Sequence, residues 1–321
     1  MPNFDAGCVR LKLDCADDRV CAVQIGSERP DLAQALRGRM ADQAMRLIPL
    51  LFALCGEAQA RAAVLALAAA RGEECVPRLD PSVQREVLRE HLWRWLLDLP
   101  PLLGEETLQR DFVTAVGLVA EGRRDELHAL LTSPSIAALR LCLQRADELP
   151  SPPPQLLPAL VTRNSLAEWP RLTAEFCRLP NWRGMAAETG AIARQQGRGE
   201  KITSLLSARW LARFEELLDW ATGDVQVGAG GTVSATHVAP GIGRSLVETA
   251  RGLLMHEIVL DGERVADYMI VAPTEWNFHP QGTLANHLLG QAAGNRDTLL
   301  QRIARAVAAL DPCVRWELEW A

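Results

Sequence analysis

The sequence predicts an α+β fold that is mostly α, with helices around a buried core and a small antiparallel β-sheet. Between residues 30 and 221, apolar side chains recur at helical spacing in one segment after another. From residue 232 to 271 the apolar period falls to two, which is typical of strands. The 321 residues, 48% hydrophobic and 23% charged, are enough to bury a large core. We predict one domain over residues 1–321.

The first predicted element is a β-hairpin over residues 8–25, where apolar and polar residues alternate on both sides of a turn. The helical part follows over residues 30–221. Within it, the cysteine–glycine pair at 55–56 interrupts one helical pattern, and the proline pair at 100–101 ends another. The predicted helices span residues 31–39, 42–54, 57–71, 81–97, 105–119, 125–131, 135–148 and 202–221.

Three further segments complete the predicted fold. The proline-rich residues 149–154 form a stiff connection, which we interpret as a surface segment within the domain. Residues 223–231 are glycine-rich without the spacing of a phosphate cradle, so we interpret them as a flexible loop. The β-rich part covers 232–271, with a hairpin turn at Asp261-Gly262. Two helices, at 283–289 and 296–310, precede the C-terminal cysteine segment within residues 283–321.

The charge pattern excludes several classes of partner. The net charge is −6 and no basic tract is present, so we expect no nucleic-acid and no anionic-membrane partner. The longest apolar run, residues 47–55, is too short to span a bilayer. Residues 1–18 carry charges where a signal peptide needs an apolar segment. We therefore expect a cytoplasmic protein.

None of the eight cysteines is part of a CxxC pair, so zinc-finger and thioredoxin interpretations fail. A disulfide framework is unusual in a long cytosolic chain. We interpret Cys75, Cys142 and Cys177 as buried small hydrophobes. The role of the cluster at residues 8, 15 and 21 stays open, and Cys55 and Cys313 are considered next.

Four short segments combine unusual residues. Cys55-Gly56 lies early in the chain and Asp311-Pro312-Cys313 lies at its end, with residues 248–252 (ETARG) and 273–277 (PTEWN) between them. Their order and content resemble the signatures of the large subunit of nickel–iron hydrogenases. The likeness covers roughly residues 36–75 and 180–321, and it implies a hydrogenase-large-subunit-like helical core.

The departures from that family decide the expected chemistry. In the family, four thiolates hold nickel and an iron that carries carbon monoxide and cyanide. Here Ala58 and Trp316 stand at two of the four cysteine positions, and only Cys55 and Cys313 remain. The resemblance therefore implies no nickel and no hydrogen turnover, so we do not expect an enzyme. We also expect Trp316 to fill the space of the missing metal and sulfur.

This pattern of loss resembles the HupK/HoxV family of hydrogenase expression/formation proteins. The resemblance implies a maturation scaffold that holds an Fe(CN)2(CO) fragment before its transfer to the large subunit. It assigns Cys55 and Cys313 as metal ligands and Arg251 and Thr274 as donors to the cyanides. Two further cofactor-binding residues are Pro273 and Asp311. The implied partners are maturation chaperones of the HypC/HypD type and the large-subunit precursor.

Other interpretations remain open at this point. The protein could be a metal-free interaction module that imitates the large subunit and binds its chaperones. It could also be a thiol/disulfide redox protein, if the Cα atoms of Cys55 and Cys313 lie within roughly 7 Å. Arg251 could simply pair with Glu248 or Glu257, and Asp311 could only cap the terminal turn.

Overall fold

The computed structural model describes residues 7–30, 32–52, 55–145, 152–158, 169–196 and 206–320. The strands are β1 (Cys8–Ala16), β2 (Arg19–Glu28), β3 (Cys75–Leu79), β4 (Thr232–Ala239), β5 (Ile242–Thr249), β6 (Gly252–Asp261), β7 (Arg264–Val271) and β8 (Arg315–Trp320). The helices are α1 (Ala41–Leu51), α2 (Gly56–Ala70), α3 (Pro81–Trp93), α4 (Leu99–Leu102), α5 (Gln109–Glu121), α6 (Arg124–Leu131), α7 (Pro134–Arg145), α8 (Ala174–Arg178), α9 (Ala191–Gln196), α10 (Ser207–Thr222), α11 (Pro273–Asn277), α12 (Thr283–Leu288) and α13 (Arg296–Leu310). The α+β class is confirmed.

The N-terminal hairpin is confirmed, but it belongs to a three-stranded sheet that the sequence prediction lacked. The strand order is β2-β1-β8, and β8 lies parallel to β1. Residues of β8 alternate between exposed and half-buried positions, as expected for a strand with one face on the core. The two ends of the described chain therefore meet in one sheet.

Trp316 does not fill a metal position, so that expectation is wrong. It pairs with Val9 across the parallel β1–β8 ladder and packs, half-buried, against the large apolar cluster around β1 and α13. The strand pairing explains this, because it places Trp316 against the apolar core beside the first sheet.

The second sheet contains the predicted strands of residues 232–271. Its order is β3-β4-β5-β6-β7, and every neighbouring pair is antiparallel. The edge strand β3 was not predicted. The turn at Gly262 is confirmed, with a positive φ of 57° that suits glycine.

Helix α2 packs directly on this sheet because its core-facing side is almost entirely alanine. Ala58, Ala62, Ala66 and Ala69 are fully buried. A Cβ at Gly243 would lie only 2.1 Å from the Ala66 carbonyl oxygen, so glycine is required where helix and strand meet. This close contact holds the C-terminal half of α2 against the sheet, and Cys55 lies at the opposite end of the helix.

One local prediction is wrong. The proline pair at 100–101 does not end the helix, because a π-helical turn at Arg94–Asp98 leads into α4. Pro100 lies in the first turn of α4, where its missing N–H is tolerated.

The glycine-rich segment 223–231 is a loop, as predicted. Its last residues, Ala229 to Gly231, are buried, and Gly231 donates its N–H to the Glu248 carbonyl. Glycine is needed at position 231 because a side chain there would collide with Gln84 of α3.

Parts of other predictions fall outside the described residues, namely half of segment 149–154, the last residues of the helices predicted over 42–54 and 135–148, and the start of the helix predicted from residue 202. The two C-terminal helices are confirmed as α12 and α13. In the ranges given above, we find no helix with the length and apolarity needed to cross a membrane.

Candidate functional site

A pocket of about 260 Å³ brings together residues from the first and last parts of the chain. Cys55 and Cys313 both line it. Its walls are mainly apolar, and they come from β7, α1 and the segment after β2. The apolar wall residues include Leu32, Leu51, Phe52, Met269, Ile270 and Val314.

Cys55 is held at the N-terminal end of α2. Its carbonyl oxygen accepts the N–H of Gln59, and the Gln59 side-chain amide donates to the Cys55 sulfur at 3.7 Å. The exposed N–H groups at this helix end are satisfied by Glu86, whose carboxylate accepts from Glu57 and Ala58 at 2.8 and 3.2 Å. The thiol therefore does not serve as a cap and faces the pocket.

Cys313 is placed by a sharp turn after α13. Asp311, in the left-handed region at φ 57°, ends the helix, and Pro312 follows. The N–H of Cys313 donates to the Thr274 hydroxyl oxygen at 3.2 Å, and that hydroxyl lies 3.1 Å from the Cys313 sulfur. Thr274 is fully buried in α11, directly after Pro273. The sequence motif thus fixes the position of the second thiol.

The two sulfurs are close enough to affect each other electrostatically. Burial, and then the charge of Cys313, raise the pKa of Cys55 to about 12, while Arg251 acts in the opposite direction. Without a bound cation, Cys55 is therefore a thiol at neutral pH. A metal ion at this position would release its proton.

Arg251 is close enough to both cysteines to interact with them electrostatically, but it does not line the pocket. Its Nη2 donates to Glu90 at 2.9 Å, and its Nε lies 3.3 Å from Asp311. The pairing with Glu248 or Glu257 considered from the sequence is wrong, because Arg194 and Arg244 pair with those carboxylates. Burial opposes the charge of Arg251, but Asp311 and Glu90 raise its pKa above the usual value.

Asp311 does more than end a helix. Its buried carboxylate lies 2.7 Å from Nη2 of Arg94, and Arg213 is close enough to interact with it. Burial would raise the pKa of Asp311, but Arg251, Arg94 and Arg213 together lower it to about 2. The cluster of Asp311, Arg94, Arg213, Arg251 and Glu90, called here the Asp311 cluster, supports Cys313 from behind.

The pocket is also lined by charged residues that the sequence did not single out, and two of them, Arg29 and Glu275, contact each other. Arg29 Nη1 donates to the Glu275 carboxylate at 3.4 Å, and the Ser27 hydroxyl donates to the same oxygen at 3.2 Å. Although burial lowers the pKa of Arg29, Cys313, Glu275 and Cys55 raise it above its usual value. One signal was present, since Glu275 lies in the middle of the 273–277 motif.

A chain of hydrogen bonds reaches Cys55 from the other side of the pocket. His256 lies 2.7 Å from the Tyr268 hydroxyl and 2.9 Å from the Gln59 carbonyl oxygen. Burial lowers the pKa of His256 to about 3, so the ring is neutral. Gln59 offers an acceptor, so Nε2 carries the proton and Nδ1 accepts from Tyr268. Each group in this series therefore donates to the next, from the Tyr268 hydroxyl through His256 and the Gln59 side chain to the Cys55 sulfur.

The donor set limits what the site can hold. Over the described part of the chain, no three His, Cys, Asp or Glu side chains are grouped so that they could bind a metal ion. Cys177, interpreted from sequence as a buried hydrophobe, is half-buried and lines the pocket without completing such a group. Two thiols suit a metal whose other coordination positions are already filled by non-protein ligands. A bare ion would have too few protein ligands at this site.

A family model and solved structures match this chain. The family model described as nickel-dependent hydrogenase matches residues 184–315. The structure is similar to the Ni-Fe-Se hydrogenase of Desulfovibrio vulgaris Hildenborough in its as-isolated oxidised state. The TM-score is 0.60 at 15% identity, and the match covers 93% of this chain and 94% of that one. This likeness shows a hydrogenase-large-subunit fold.

The decisive similarity is at the level of sequence. The hydrogenase expression/formation protein HoxV of Cupriavidus necator is 32% identical, with 92% of each chain covered. The chain belongs to the HoxV/HupK family. Hydrogenase expression/formation protein HupK of Azotobacter vinelandii is 30% identical over 98% of both chains. The match to HoxV/HupK proteins thus extends over nearly the whole length of this chain.

Proposed function

We propose that this HoxV/HupK protein is a non-catalytic, cytoplasmic scaffold in hydrogenase maturation. It holds an Fe(CN)2(CO) fragment through Cys55 and Cys313 and passes it to the large-subunit precursor of a nickel–iron hydrogenase. The single observation that carries the proposal is that these two thiols, from opposite ends of the chain, line one pocket. The iron fragment is cargo, and no nickel is involved.

The surroundings of the thiols support iron as the cargo metal. Thiolates are soft ligands that suit iron. A low-spin iron with three diatomic ligands needs few protein donors, and this pocket offers two sulfurs. We also propose Arg251 and Thr274 as donors to the cyanide nitrogens, which are anionic acceptors. Neither side chain lines the pocket itself, so the bound fragment must reach past Cys313 to the Thr274 hydroxyl and to the Arg251 guanidinium. Pro273 and Asp311 hold these donors in place from behind.

The proposed partners follow from the family. Relatives with this architecture are named hydrogenase expression/formation proteins. A scaffold that receives and releases an iron fragment must contact both the donor and the acceptor. We propose chaperones of the HypC/HypD type as donors, and the large-subunit precursor as the acceptor.

Infrared spectroscopy tests the proposal. The protein is produced together with the maturation machinery and purified without oxygen. Carbonyl and cyanide stretching bands are expected in the wild type and in Cys142→Ala, a control thiol outside the pocket. The Cys55→Ala, Cys313→Ala double variant should lack them. Absence of the bands from the wild type, or their persistence in the double variant, contradicts the proposal.

A metal-free interaction module is the second candidate. The likeness to a hydrogenase large subunit over 93% of the chain favours it, because such a surface could bind the same chaperones without cargo. Iron content separates the two functions. Complexes with chaperones that form equally well in the double cysteine variant, with no iron in the wild type, would favour the module.

A further inference from the structure

Three charged side chains line the pocket that holds Cys55 and Cys313. Arg29 and Arg178 are positive, and Glu275 is negative. Arg178 is exposed at the rim, whereas Arg29 is largely buried between Glu275 and the two thiols. The charged side chains that line the pocket therefore sum to one positive charge, and the buried one of the two arginines is Arg29. Binding of a bare divalent cation at this site is disfavoured, because the positive charges of the ion and of the Arg29 guanidinium repel each other in a partly buried environment.

Arg29 differs from Arg251 in how many of its donors are used. Arg251 is held by two carboxylates, Glu90 and Asp311. Arg29 makes one long hydrogen bond, from Nη1 to Glu275 at 3.4 Å. In the ranges that the structure describes, Nε and Nη2 of Arg29 have no hydrogen-bond partner. This guanidinium still has donors available for a guest in the pocket.

The geometry points to Arg29 as the residue that determines which form of metal the pocket binds. It donates to the anionic ligands of a metal fragment that arrives already coordinated, and it disfavours bare divalent ions. Glu275 holds the guanidinium at the pocket wall, and its negative charge partly offsets the positive charge of Arg29. The first half of this inference rests on the proposed iron cargo, but the exclusion of bare ions does not.

Cobalt titration tests the exclusion. Protein produced without the maturation machinery is titrated with Co²⁺ under anaerobic conditions at fixed pH and low salt. Thiolate-to-cobalt charge-transfer absorption reports binding at the cysteines. Loss of one nearby positive charge should tighten binding by about tenfold in Arg29→Gln, whereas Arg29→Lys should behave like the wild type. Glu275→Gln should weaken binding, and Arg178→Gln at the exposed rim should change it less than Arg29→Gln.

A merely structural role of Arg29 predicts a different outcome, since a damaged pocket would bind cobalt more weakly. Equal or weaker Co²⁺ binding by Arg29→Gln, in a variant whose circular dichroism matches the wild type, would overturn the inference. The absorption must also vanish in the double cysteine variant, which shows that the ion occupies this pocket.

The cargo half has its own readout. Arg29→Gln produced with the maturation machinery should lose most of its carbonyl and cyanide infrared intensity, and Arg29→Lys should restore it. Unchanged intensity and frequencies in Arg29→Gln would overturn the role of Arg29 while leaving the scaffold intact. A wild type without these bands would instead overturn the proposed function, and the cobalt result would still decide whether Arg29 excludes bare ions.

Discussion

The thiol pocket and the Asp311 cluster lie side by side but are built in opposite ways. The pocket walls are mainly apolar, and Arg29 uses only its Nη1 in a hydrogen bond to a described residue, Glu275. In the Asp311 cluster, charges are buried and meet opposite charges, as in the Arg251–Glu90 and Arg94–Asp311 pairs. The difference indicates that the cluster carries stability and the pocket is left available for a guest. Asp311 and Cys313, two positions apart, mark the boundary.

The strongest test of this division is Asp311→Asn. The substitution keeps the shape but leaves the buried Arg94, Arg213 and Arg251 without their shared negative charge. Removing one partner of a buried ion pair lowers the free energy of unfolding by about 3 to 5 kcal/mol. Urea denaturation followed by circular dichroism measures it. A loss below about 1 kcal/mol would mean that the cluster is not the stabilising part.

The stabilising role of the Asp311 cluster can also be tested by measuring stability as a function of pH. The pKa of Asp311 is about 2 in the folded protein and 3.8 as an ordinary aspartate. A lowered folded pKa stabilises the protein above the ordinary value, and that contribution disappears as the pH falls toward 2. The stability gap between wild type and Asp311→Asn should shrink by about 2 kcal/mol between pH 5 and 2. A gap that stays constant over this range would exclude an ionised Asp311.

Thr274→Val examines the boundary between the two regions. The change conserves volume but removes the hydroxyl that accepts from the Cys313 N–H and contacts its sulfur. An unpaired buried N–H lowers the unfolding free energy by about 1.5 kcal/mol. Thr274→Ser keeps the hydroxyl and is the matched control. If valine and serine are equally stable, the hydroxyl does not hold Cys313 in place.

Cys55→Ala should have the smallest effect on stability. Cys55 is half-buried and caps no helix N–H group, because Glu86 does so. We expect a change within about 1 kcal/mol of the wild type in the same denaturation assay. A larger loss would show that the thiol is a structural part of the fold, and the contrast between pocket and cluster would weaken.

Local sequence patterns predicted much of this molecule. The period-two strands of residues 232–271 and the helices on both sides of Cys55-Gly56 follow from hydrophobic spacing. The motif containing Thr274 lies beside Cys313, as expected from the resemblance. Motif order could suggest this contact because each segment is recognisable by itself.

What could not be predicted depends on contacts between distant segments. The alternation in β8 indicates a strand, but its parallel pairing with β1 is a tertiary choice that no local pattern encodes. No local pattern marks Arg29 in the sequence, and only the fold brings it to Glu275 and the thiols. The choice of Glu90 as the partner of Arg251 is likewise made by the packing of α3 against the turn before β6.

X-ray absorption at the iron edge tests most directly whether Cys55 and Cys313 hold the cargo together. The protein is purified without oxygen after production with the maturation machinery. The account predicts two sulfur neighbours on the iron beside its diatomic ligands, and one fewer in either Cys55→Ala or Cys313→Ala. An iron with no sulfur neighbour, or a sulfur number that neither substitution changes, would contradict it.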